Sequence, residues 1–341
     1  MSYFVPSALL AGQAKFNERM LSAEWRMPDS AIIKAAGLAE IANPALTAVR
    51  TREDRTVSVY FPVRQSATNG TARAAAHTGA RGDSSSENLS YSTYSEPFSI
   101  SLKQADNNVF SFAEMFAATQ RNAIINLLAR LDAGLAALLV ADKSGVNGGG
   151  GNGTFNGTDD VYEVPASEIN YLFQNAKDSL WYNNYRGEII ALADSKAFSL
   201  SQRLRAQGSS NATNFGFQFD GMQVIGTTRT LLGSSYDGSV IAYENGLVAI
   251  VPWIPKQNRK ALDPEKAMTY VGDYGQIIVP ELPNFPFAIH AYAERADNGS
   301  YGGYTQDVTM QFEVSVDIAY ASAPMSTSTA SPVLAFGQLT A

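Results

Sequence analysis

The stretch SFAEMFAATQRNAIINLLARLDAGLAALLVADKSG, residues 111–145, carries the longest helical pattern of the chain. Ser111 and Glu114 have the spacing of a capping box, in which two side chains satisfy free N–H groups at a helix start. Apolar residues then recur three or four positions apart, which predicts one helix over residues 111–143 with a packed face. At 1.5 Å per residue, this helix would be about 48 Å long. The residues expected to pack are Phe116, Leu127, Leu131, Leu135 and Leu138.

The composition excludes several classes of protein. The 341 residues include no cysteine, so disulfides, thiolate metal sites and cysteine nucleophiles are ruled out. The net charge is −7, and an acidic chain of this kind is a poor sequence-independent binder of nucleic acid. The first residues lack the pattern of a signal peptide, and no run of 18 uncharged apolar residues occurs. We therefore expect no membrane partner.

A long hairpin is predicted before the helix. RTVSVYFPVRQ, residues 55–65, alternates apolar and polar positions, and YSEPFSISLKQ, residues 94–104, alternates in the same way. The residues between these two strands are mostly small or polar, and a two-stranded hairpin without its own core is marginal in water. We therefore expect the hairpin to lie on another copy of the chain.

The two limbs of this hairpin carry opposite charge, because arginines dominate the first limb and acids the second. Ordinary solvated surface accounts for such a layout. Pairing with charges on neighbouring subunits accounts for it as well, and arginine is well suited to such contacts. The candidate contact residues are Arg64, Arg73, Arg81, Asp83 and Glu87.

The other patterns mix helices and strands, which predicts an α+β fold. Hairpins are expected where Asp220-Gly221 and Asn245-Gly246 favour tight turns, and the tail after residue 322 is expected to be irregular. The remaining predicted elements are a short helix ending near Ile41, a helix within 165–182, a strand at EIIALAD, a helix capped by Ser195 and a long final strand at 306–320.

The glycine-rich stretch NGGGGNGTFNGTDD, residues 147–160, directly follows the long helix. No lysine follows the glycines and no strand precedes them, so the phosphate-loop patterns fail. Asp159 and Asp160 lack the spacing of a calcium loop, and a solvated turn is the favoured interpretation. Glycines that end a helix permit left-handed backbone, which makes this stretch a flexible joint. The predicted hinge residues are Gly148, Gly149, Gly150 and Gly151.

The sequence predicts no catalytic residue, no metal site and no cofactor. The two histidines, His77 and His290, lie in the polar hairpin tip and in an apolar run. Neither belongs to a metal-ligand cluster, and the chain has no nucleophile motif. We therefore expect a protein that is not an enzyme.

The order of these parts resembles the major capsid protein of tailed bacteriophages, whose Hong Kong ninety-seven-type fold is shared with encapsulins. In that family the hairpin is called the E-loop and the long helix is called the spine helix. The resemblance implies an N-terminal arm at 1–52, an E-loop at 53–105, a peripheral domain at 106–164 and 276–341 that contains the spine helix at 111–143, and a mainly axial domain at 165–275.

The resemblance also implies a function. The chain would self-assemble through hexamers and pentamers into an icosahedral shell that encloses double-stranded DNA without sequence-specific binding. Portal, scaffolding and decoration proteins are the further partners it suggests, and the implied location is a virion capsid assembled in the host bacterial cytoplasm. No lysine lies between Lys34 and Lys103, so the isopeptide crosslink that some relatives form through the E-loop is not expected.

Two alternatives stay open on the sequence. One is an encapsulin-like compartment, which shares the fold. The other belongs to a different class, a β-rich carbohydrate-binding or adhesive protein, and the long helix and the missing secretion signal count against it.

Overall fold

The computed structural model describes residues 15, 29–37, 56–63, 83–101, 112–146, 153–208, 221–253, 269–270, 275–279, 282–296, 307–323 and 330–340. The helices are α1 (Ala31–Gly37), α2 (Phe112–Ala141), α3 (Leu172–Tyr182) and α4 (Ser195–Gly208), and a 3-10 helix spans Ala166–Tyr171. The strands are β1 (Thr56–Val63), β2 (Asp83–Ser101), β3 (Thr154–Asn156), β4 (Val161–Val164), β5 (Ile189–Ala193), β6 (Met222–Gly226), β7 (Tyr236–Glu244), β8 (Val248–Trp253), β9 (Thr269–Tyr270), β10 (Gly275–Val279), β11 (Leu282–Ala296), β12 (Asp307–Ser322) and β13 (Leu334–Leu339).

The chain divides into two compact units. The first comprises Met1–Ser30, Tyr91–Leu131 and Pro252–Ala319, and the second comprises Ala31–Ser90, Asp132–Val251 and Tyr320–Ala341. One division point therefore falls inside α2, between Leu131 and Asp132.

The long helix α2 confirms the main prediction made from the sequence, since its 30 residues lie within the predicted 111–143. Its predicted packing residues Phe116, Leu127, Leu131 and Leu135 are buried. The prediction for Leu138 is wrong, because this side chain is 39% exposed. After Leu131 the buried residues lie on a different side of the helix. The periodicity of the sequence alone does not show such a change. The buried residues on this later part are Asp132, Leu135, Ala136 and Leu139.

By length and composition alone, the segment Ala113–Ala141 is able to cross a membrane. Half of its most apolar stretch is buried inside the protein, as in the core helix of a protein without a membrane. The segment also carries Arg121, Arg130 and Asp132, which a hydrocarbon environment disfavours. The length of the helix therefore does not by itself indicate a membrane span.

The first unit is built on an antiparallel sheet in which β12 lies between β2 and β11, with β10 beyond β11. β12 confirms the long final strand that the sequence predicts. Its Phe312 stands opposite Phe98 of β2. These two rings and Phe116 of α2 form an aromatic cluster with centroids 4.8, 5.1 and 5.7 Å apart, at separations typical of favourable ring pairs. The cluster places the first part of α2 against this face of the sheet.

A polar contact joins the same helix to β2. Arg130 donates to Glu96 Oε2 at 3.1 Å and to the Ser95 carbonyl at 3.0 Å, and Asn126 donates to Glu96 Oε1 at 3.3 Å. Since the Arg130 side chain is 59% exposed, we expect this ion pair to orient the helix more than to stabilise it.

The strand that pairs with β1 differs from the prediction. β1 pairs antiparallel with residues 83–90, from Thr56 opposite Ser90 to Val63 opposite Asp83. Most of the predicted mate, residues 94–104, pairs instead with β12. The prediction was wrong because residues 84–92, SSSENLSYS, show almost no apolar alternation. When both faces of a strand carry mostly polar residues, its sequence resembles that of a loop.

The second unit is built on a mixed sheet whose described strands have the order β3-β4-β13-β7-β5-β6. β5 is buried along its whole length, which explains its continuously apolar sequence IIALA. Both α3 and α4 pack on one face of this sheet, and α1 lies against β5 and β6. The core beneath α3 and α4 includes Phe173, Leu180, Ala191, Leu200, Val240 and Phe336.

The tail contains a strand, so the expectation of an irregular tail is wrong. β13 pairs parallel with β4 and antiparallel with β7, and therefore lies inside the sheet. Its residues Leu334 to Gln338 are all buried, so the short sequence LAFGQL lacks the alternation that marks a half-exposed strand.

The turn at Asn245-Gly246 exists, and Gly246 has a φ of +91°. The two strands that it joins do not form the predicted hairpin, because β7 lies between β13 and β5 whereas β8 pairs with β12. The turn instead passes the chain from one sheet to the other. At Asp220-Gly221 only the second limb, β6, lies within the described residues, and it pairs parallel with β5.

The start of α4 is capped one residue earlier than predicted. Asp194, rather than Ser195, provides the cap, since its Oδ1 accepts the Ala197 N–H at 2.8 Å. Its Oδ2 accepts the Ser239 N–H at 2.7 Å, which joins the helix start to β7. Two adjacent residues of the capping type made the sequence ambiguous at this point. The capping box predicted at Ser111 involves a residue outside the described part of the chain.

Candidate assembly surfaces

The hairpin of β1 and β2 exposes one face. Ser58, Tyr60 and Pro62 are exposed on β1, and the residues opposite them on β2, Asn88, Ser86 and Ser84, are exposed as well. Tyr60 is 65% exposed, and Ser58 donates to Asn88 Oδ1 at 2.6 Å across the strands. This face is polar apart from Tyr60 and Pro62, and no described part of the same chain covers it.

The five charged residues proposed from the sequence as hairpin contacts are only partly placed. Arg64, Arg73 and Arg81 lie outside the described residues. Asp83 and Glu87 lie on β2, where they stand opposite Val63 and Val59 of β1. Their contacts with neighbouring subunits stay a prediction.

A buried ion pair that the sequence did not predict holds α1 in place. Asp132 of α2 is fully buried, and its Oδ1 accepts the Ile32 N–H at the start of α1 at 3.2 Å. Its Oδ2 accepts the Arg229 Nε–H at 3.1 Å. One carboxylate from the long helix thus caps a second helix and pairs with a cation. The only signal in the sequence was an acidic residue inside the apolar stripe of α2.

A second polar cluster follows α2. Asn156 donates to Asp159 at 3.2 Å and to Glu163 at 2.9 Å, and the Tyr236 hydroxyl lies 3.0 Å from Glu163 Oε1 and 3.4 Å from Asp159 Oδ2. Burial and these two carboxylates raise the pKa of the Tyr236 hydroxyl, which therefore stays protonated and donates. Lys143 donates to the Asp159 carbonyl at 2.6 Å. The cluster fixes the segment after the glycines to the start of β7.

The described residues give a turn at Asp159 and Asp160. Asp160 adopts a left-handed φ of 52°, and the Asp159 carboxylate accepts from protein donors. Within the described part of the chain, no group of three His, Asp or Glu is arranged to hold a metal ion. His77 lies outside that part, and His290 lies in β11 opposite Glu313.

The predicted hinge, Gly148 to Gly151, lies outside the described residues, but both of its flanks are anchored. Ser144 N–H donates to the Val333 carbonyl at 2.9 Å. On the other side, the Tyr162 hydroxyl donates to the Gly153 carbonyl at 3.2 Å. Both flanks belong to the second unit. The chain on either side of the predicted hinge is therefore held to this unit.

We expect Gly153→Ala to destabilise the second unit. A Cβ at this position would overlap the Glu163 carbonyl oxygen and lie 2.7 Å from Tyr162 Cε1, so the backbone would have to shift. Overpacking of this kind costs about 1–3 kcal/mol in the free energy of unfolding, which chemical denaturation of the monomer measures. Gly157→Ala is the matched control, because its Cβ would meet only Phe155, at 3.9 Å. Equal stability of the two variants would contradict the proposed anchor.

The described residues include six large apolar side chains that are well exposed. Three of them, Tyr60, Leu138 and Val146, lie apart from one another in sequence. The other three, Tyr171, Trp181 and Tyr182, lie on α3 or directly before it. The sequence predicts a helix within 165–182, but its pattern does not show which of these rings are exposed.

No family model and no curated protein matches this sequence. Solved structures do match. A structure from Mycobacterium phage Che8 matches with a TM-score of 0.55 at 12% identity, and the match covers 93% of this chain and 93% of the phage chain. A structure from Mycobacterium phage Cain has a TM-score of 0.51 at 10% identity, covering 93% of this chain and 92% of its own. A structure described as the Cyanophage Pam1 capsid asymmetric unit matches at 9% identity with a TM-score of 0.49. This match covers 93% of this chain and 95% of the cyanophage chain.

Over 93% of its length, the chain shares its fold with the two mycobacteriophage structures. This finding confirms the α+β class and the resemblance to the phage major capsid fold that the sequence indicates. At these identities the likeness extends to the fold.

Proposed function

We propose that this chain is a major capsid protein that self-assembles into an icosahedral shell enclosing double-stranded DNA. The observation that carries the proposal is the match of 93% of the chain to mycobacteriophage structures of the same fold. Because the match covers 93% of this chain, it does not depend on one short motif. The proposed role is structural and requires no catalytic residue.

The exposed hairpin supports assembly between copies. Its outer face carries Ser58, Tyr60 and Pro62 without a covering segment among the described residues, and two strands alone bury too little surface to be stable. We propose that residues 53–105 act as the E-loop and overlap a neighbouring subunit. The same proposal assigns the N-terminal arm, the peripheral domain and the axial domain to the boundaries expected from the sequence.

The acidic balance of the chain supports a container that does not adhere to its contents. With a net charge of −7, the subunit offers few cations to neutralise phosphates and release counterions. DNA would be held by enclosure rather than by sequence-specific contacts. Portal, scaffolding and decoration proteins are proposed as further partners, and assembly is proposed to occur in the cytoplasm of a bacterial host.

Electron microscopy of the purified protein tests this proposal. Uniform closed shells would support it, and monomers alone at high concentration and in crowding salt would contradict it. Shells recovered from phage-infected cells should contain nuclease-protected double-stranded DNA. Shells that instead enclose a protein cargo would indicate the encapsulin-like alternative.

Shortening the hairpin is expected to block assembly while sparing the fold. Val63 and Asp83 are paired directly, so residues 64–82 can be replaced by Asn-Gly, which favours a two-residue hairpin turn. We expect a monomer whose melting temperature is within a few degrees of the wild type and which forms no shells on size-exclusion chromatography.

A length-matched variant separates charge from shape in this test. It keeps residues 64–82 but replaces Arg64, Arg73 and Arg81 with glutamine. Loss of shells in both variants would indicate that the arginines pair with a neighbour. Intact shells from the shortened variant would refute the role of the hairpin between subunits.

We further propose that the glycines at 148–151 act as a joint that lets identical chains adopt different shapes in hexamers and pentamers. Anchors at Ser144 and Gly153 limit the joint to a short segment. A structure of an assembled shell tests the idea directly. Graded conformations of residues 147–152 among the subunits would support it, and one identical conformation in every subunit would end it.

A further inference from the structure

Asp317 of β12 is a buried carboxylate that has no partner among the described residues. It is 1% exposed, and no described group donates a hydrogen bond to either of its carboxylate oxygens. Burying a charge without a partner is costly, so buried carboxylates are paired with a cation or fully hydrogen-bonded. The burial of Asp317 therefore calls for a positively charged group beside it.

Asp317 lies on the face of the first sheet that points away from α2. Phe312 contacts Phe116 of α2, and side chains alternate along a strand, so residue 317 points to the opposite side. We call this side of the sheet the outer face. Opposite Asp317 on β2 stands Thr93, which is exposed. The register of β2, β11 and β12 places no lysine or arginine on the outer face among their described residues.

The strand β8 leads the chain to this position. The Ala323 N–H donates to the Leu247 carbonyl at 2.7 Å, directly before β8 begins, and β8 pairs with β12. Because β12 ends at Ser322, β8 extends back along β12 from this contact. The six residues of β8 bring Trp253 beside the part of β12 that contains Asp317. Both of these positions belong to the first unit.

The segment that follows β8 has the densest positive charge in the sequence. Residues 254–268 lie outside the described part of the structure, and their sequence begins IPKQNRK. Nowhere else in the chain do three cations fall within five consecutive residues, and no acid lies between Lys256, Arg259 and Lys260. We call residues 256–260 the basic run. The basic run offers the charge that the outer face lacks.

The length of chain allows the basic run to reach the buried carboxylate. Lys256 follows Trp253 by three residues and Arg259 follows it by six, which correspond to at most about 10 and 20 Å of extended chain. The other end of the segment returns to the same sheet, because Tyr270 of β9 pairs with Tyr292 of β11. A buried group is reached most readily by a segment that folds together with it, so the same chain fits this role better than a second copy.

We infer that the segment 254–268 docks on the outer face of the first sheet, where a cation of the basic run pairs with Asp317. Guanidinium and ammonium groups both form short, charge-assisted hydrogen bonds with a carboxylate. The contact holds the connection between β8 and β9 against the sheet. Because it forms within one chain, it is independent of the proposed shell and is measured on the unassembled protein.

A comparison of melting temperatures in two backgrounds tests the pairing. Lys256→Gln, Arg259→Gln and Lys260→Gln together leave the buried carboxylate without its cation, which should lower the melting temperature by at least about 5 °C. In a chain that already carries Asp317→Asn, the same three substitutions should shift it by less than about 1 °C, because the pair is no longer there to be broken. Equal shifts in the two backgrounds would overturn the inference.

Three exposed cations of the second unit provide a control with the same change in net charge. Arg186→Gln, Lys196→Gln and Arg203→Gln remove three positive charges far along the chain from β12. Their effect should be small and should be the same with and without Asp317→Asn. A control effect that also depended on Asp317 would reflect net charge in general and would contradict the specific pairing.

Crosslinking tests the docking while every charge is kept. The chain has no cysteine, so Thr93→Cys can be combined with Asn258→Cys inside the basic run. Under mild oxidation in dilute solution, a disulfide should form within one chain, and mass spectrometry of the peptides identifies it. In the control, Ser92→Cys takes the place of Thr93→Cys, because residue 92 is also exposed but lies on the α2 side of the sheet.

The rates of disulfide formation decide the outcome. The Thr93→Cys pair should react at least about tenfold faster than the Ser92→Cys pair, because docking raises the effective concentration of the two thiols. Adding Asp317→Asn should bring the two rates together. Equal rates without that substitution would overturn the docking, and a disulfide that joins two chains would overturn its assignment to one chain. A wild-type chain that forms no shells would contradict the proposed function alone.

Discussion

Leu131→Asp is expected to abolish soluble folded protein. Leu131 is fully buried at the centre of the packed stripe of α2. The substitution removes its apolar contacts and places an unpaired carboxylate where no water reaches it, and both effects oppose folding. The combined cost should exceed about 5 kcal/mol, which is comparable to the whole stability of many domains. The soluble fraction after expression and the thermal melt by circular dichroism measure the effect.

Leu138→Asp is the matched control, since it makes the same change two turns later on the same helix, at a side chain that is 39% exposed. This variant should stay soluble and melt close to the wild type. If Leu131→Asp behaved like Leu138→Asp, the buried face of α2 would be assigned to the wrong side of the helix.

Asp132→Ala is expected to destabilise the second unit by about 3 kcal/mol, because the fully buried Asp132 carboxylate both pairs with Arg229 and accepts the Ile32 N–H. Arg229, whose side chain is 30% exposed, would lose its carboxylate, and the Ile32 N–H would lose its acceptor. Since α1 starts at this contact, we also expect its seven residues to detach first. Urea denaturation measures the free energy of unfolding, and hydrogen exchange at Ile32 and Ile33 follows the helix.

The exposed pair on the same helix provides the comparison. Arg130→Ala removes the ion pair with Glu96, in which the Arg130 side chain is 59% exposed, so the loss should stay under about 1 kcal/mol.

In addition, the double variant Asp132→Ala with Arg229→Ala should cost less than the sum of the two single variants. Additive costs would show that the buried pair contributes nothing beyond its separate side chains.

The parts of the fold that were predicted correctly have strong local signals. The helix α2 was predicted because its stripe repeats over eight turns, and β12 because its alternation continues from Val308 to Ile318. The strand β13 was missed because burial on both faces removes the alternation on which such predictions rest. The pairing of strands distant in sequence was predicted least well. A turn at Gly246 reverses the chain locally, but it does not decide which strands become neighbours in a sheet.

The candidate surfaces were less predictable than the fold. The charge layout of the hairpin was visible in the sequence, yet its arginines lie outside the described residues, so their pairing with other copies stays a prediction. The exposed rings of Tyr171, Trp181 and Tyr182 were not predicted, because Trp181 and Tyr182 directly follow Leu180 and extend its apolar run. Only the packing of the opposite side of the helix shows that these rings face outward.

The position of β13 has a consequence for how the protein is made. β13 begins at Leu334 and completes a sheet whose neighbouring strands end at Val164 and Glu244, so a ribosome produces those strands long before their partner. The edges of β4 and β7 that face β13 stay unpaired until β13 has been made and has left the exit tunnel, and unpaired edges are surfaces that chaperones and other chains can bind. A nascent chain therefore lacks a finished second unit until residues 334–339 are available. Translation itself delays the moment at which copies become able to join.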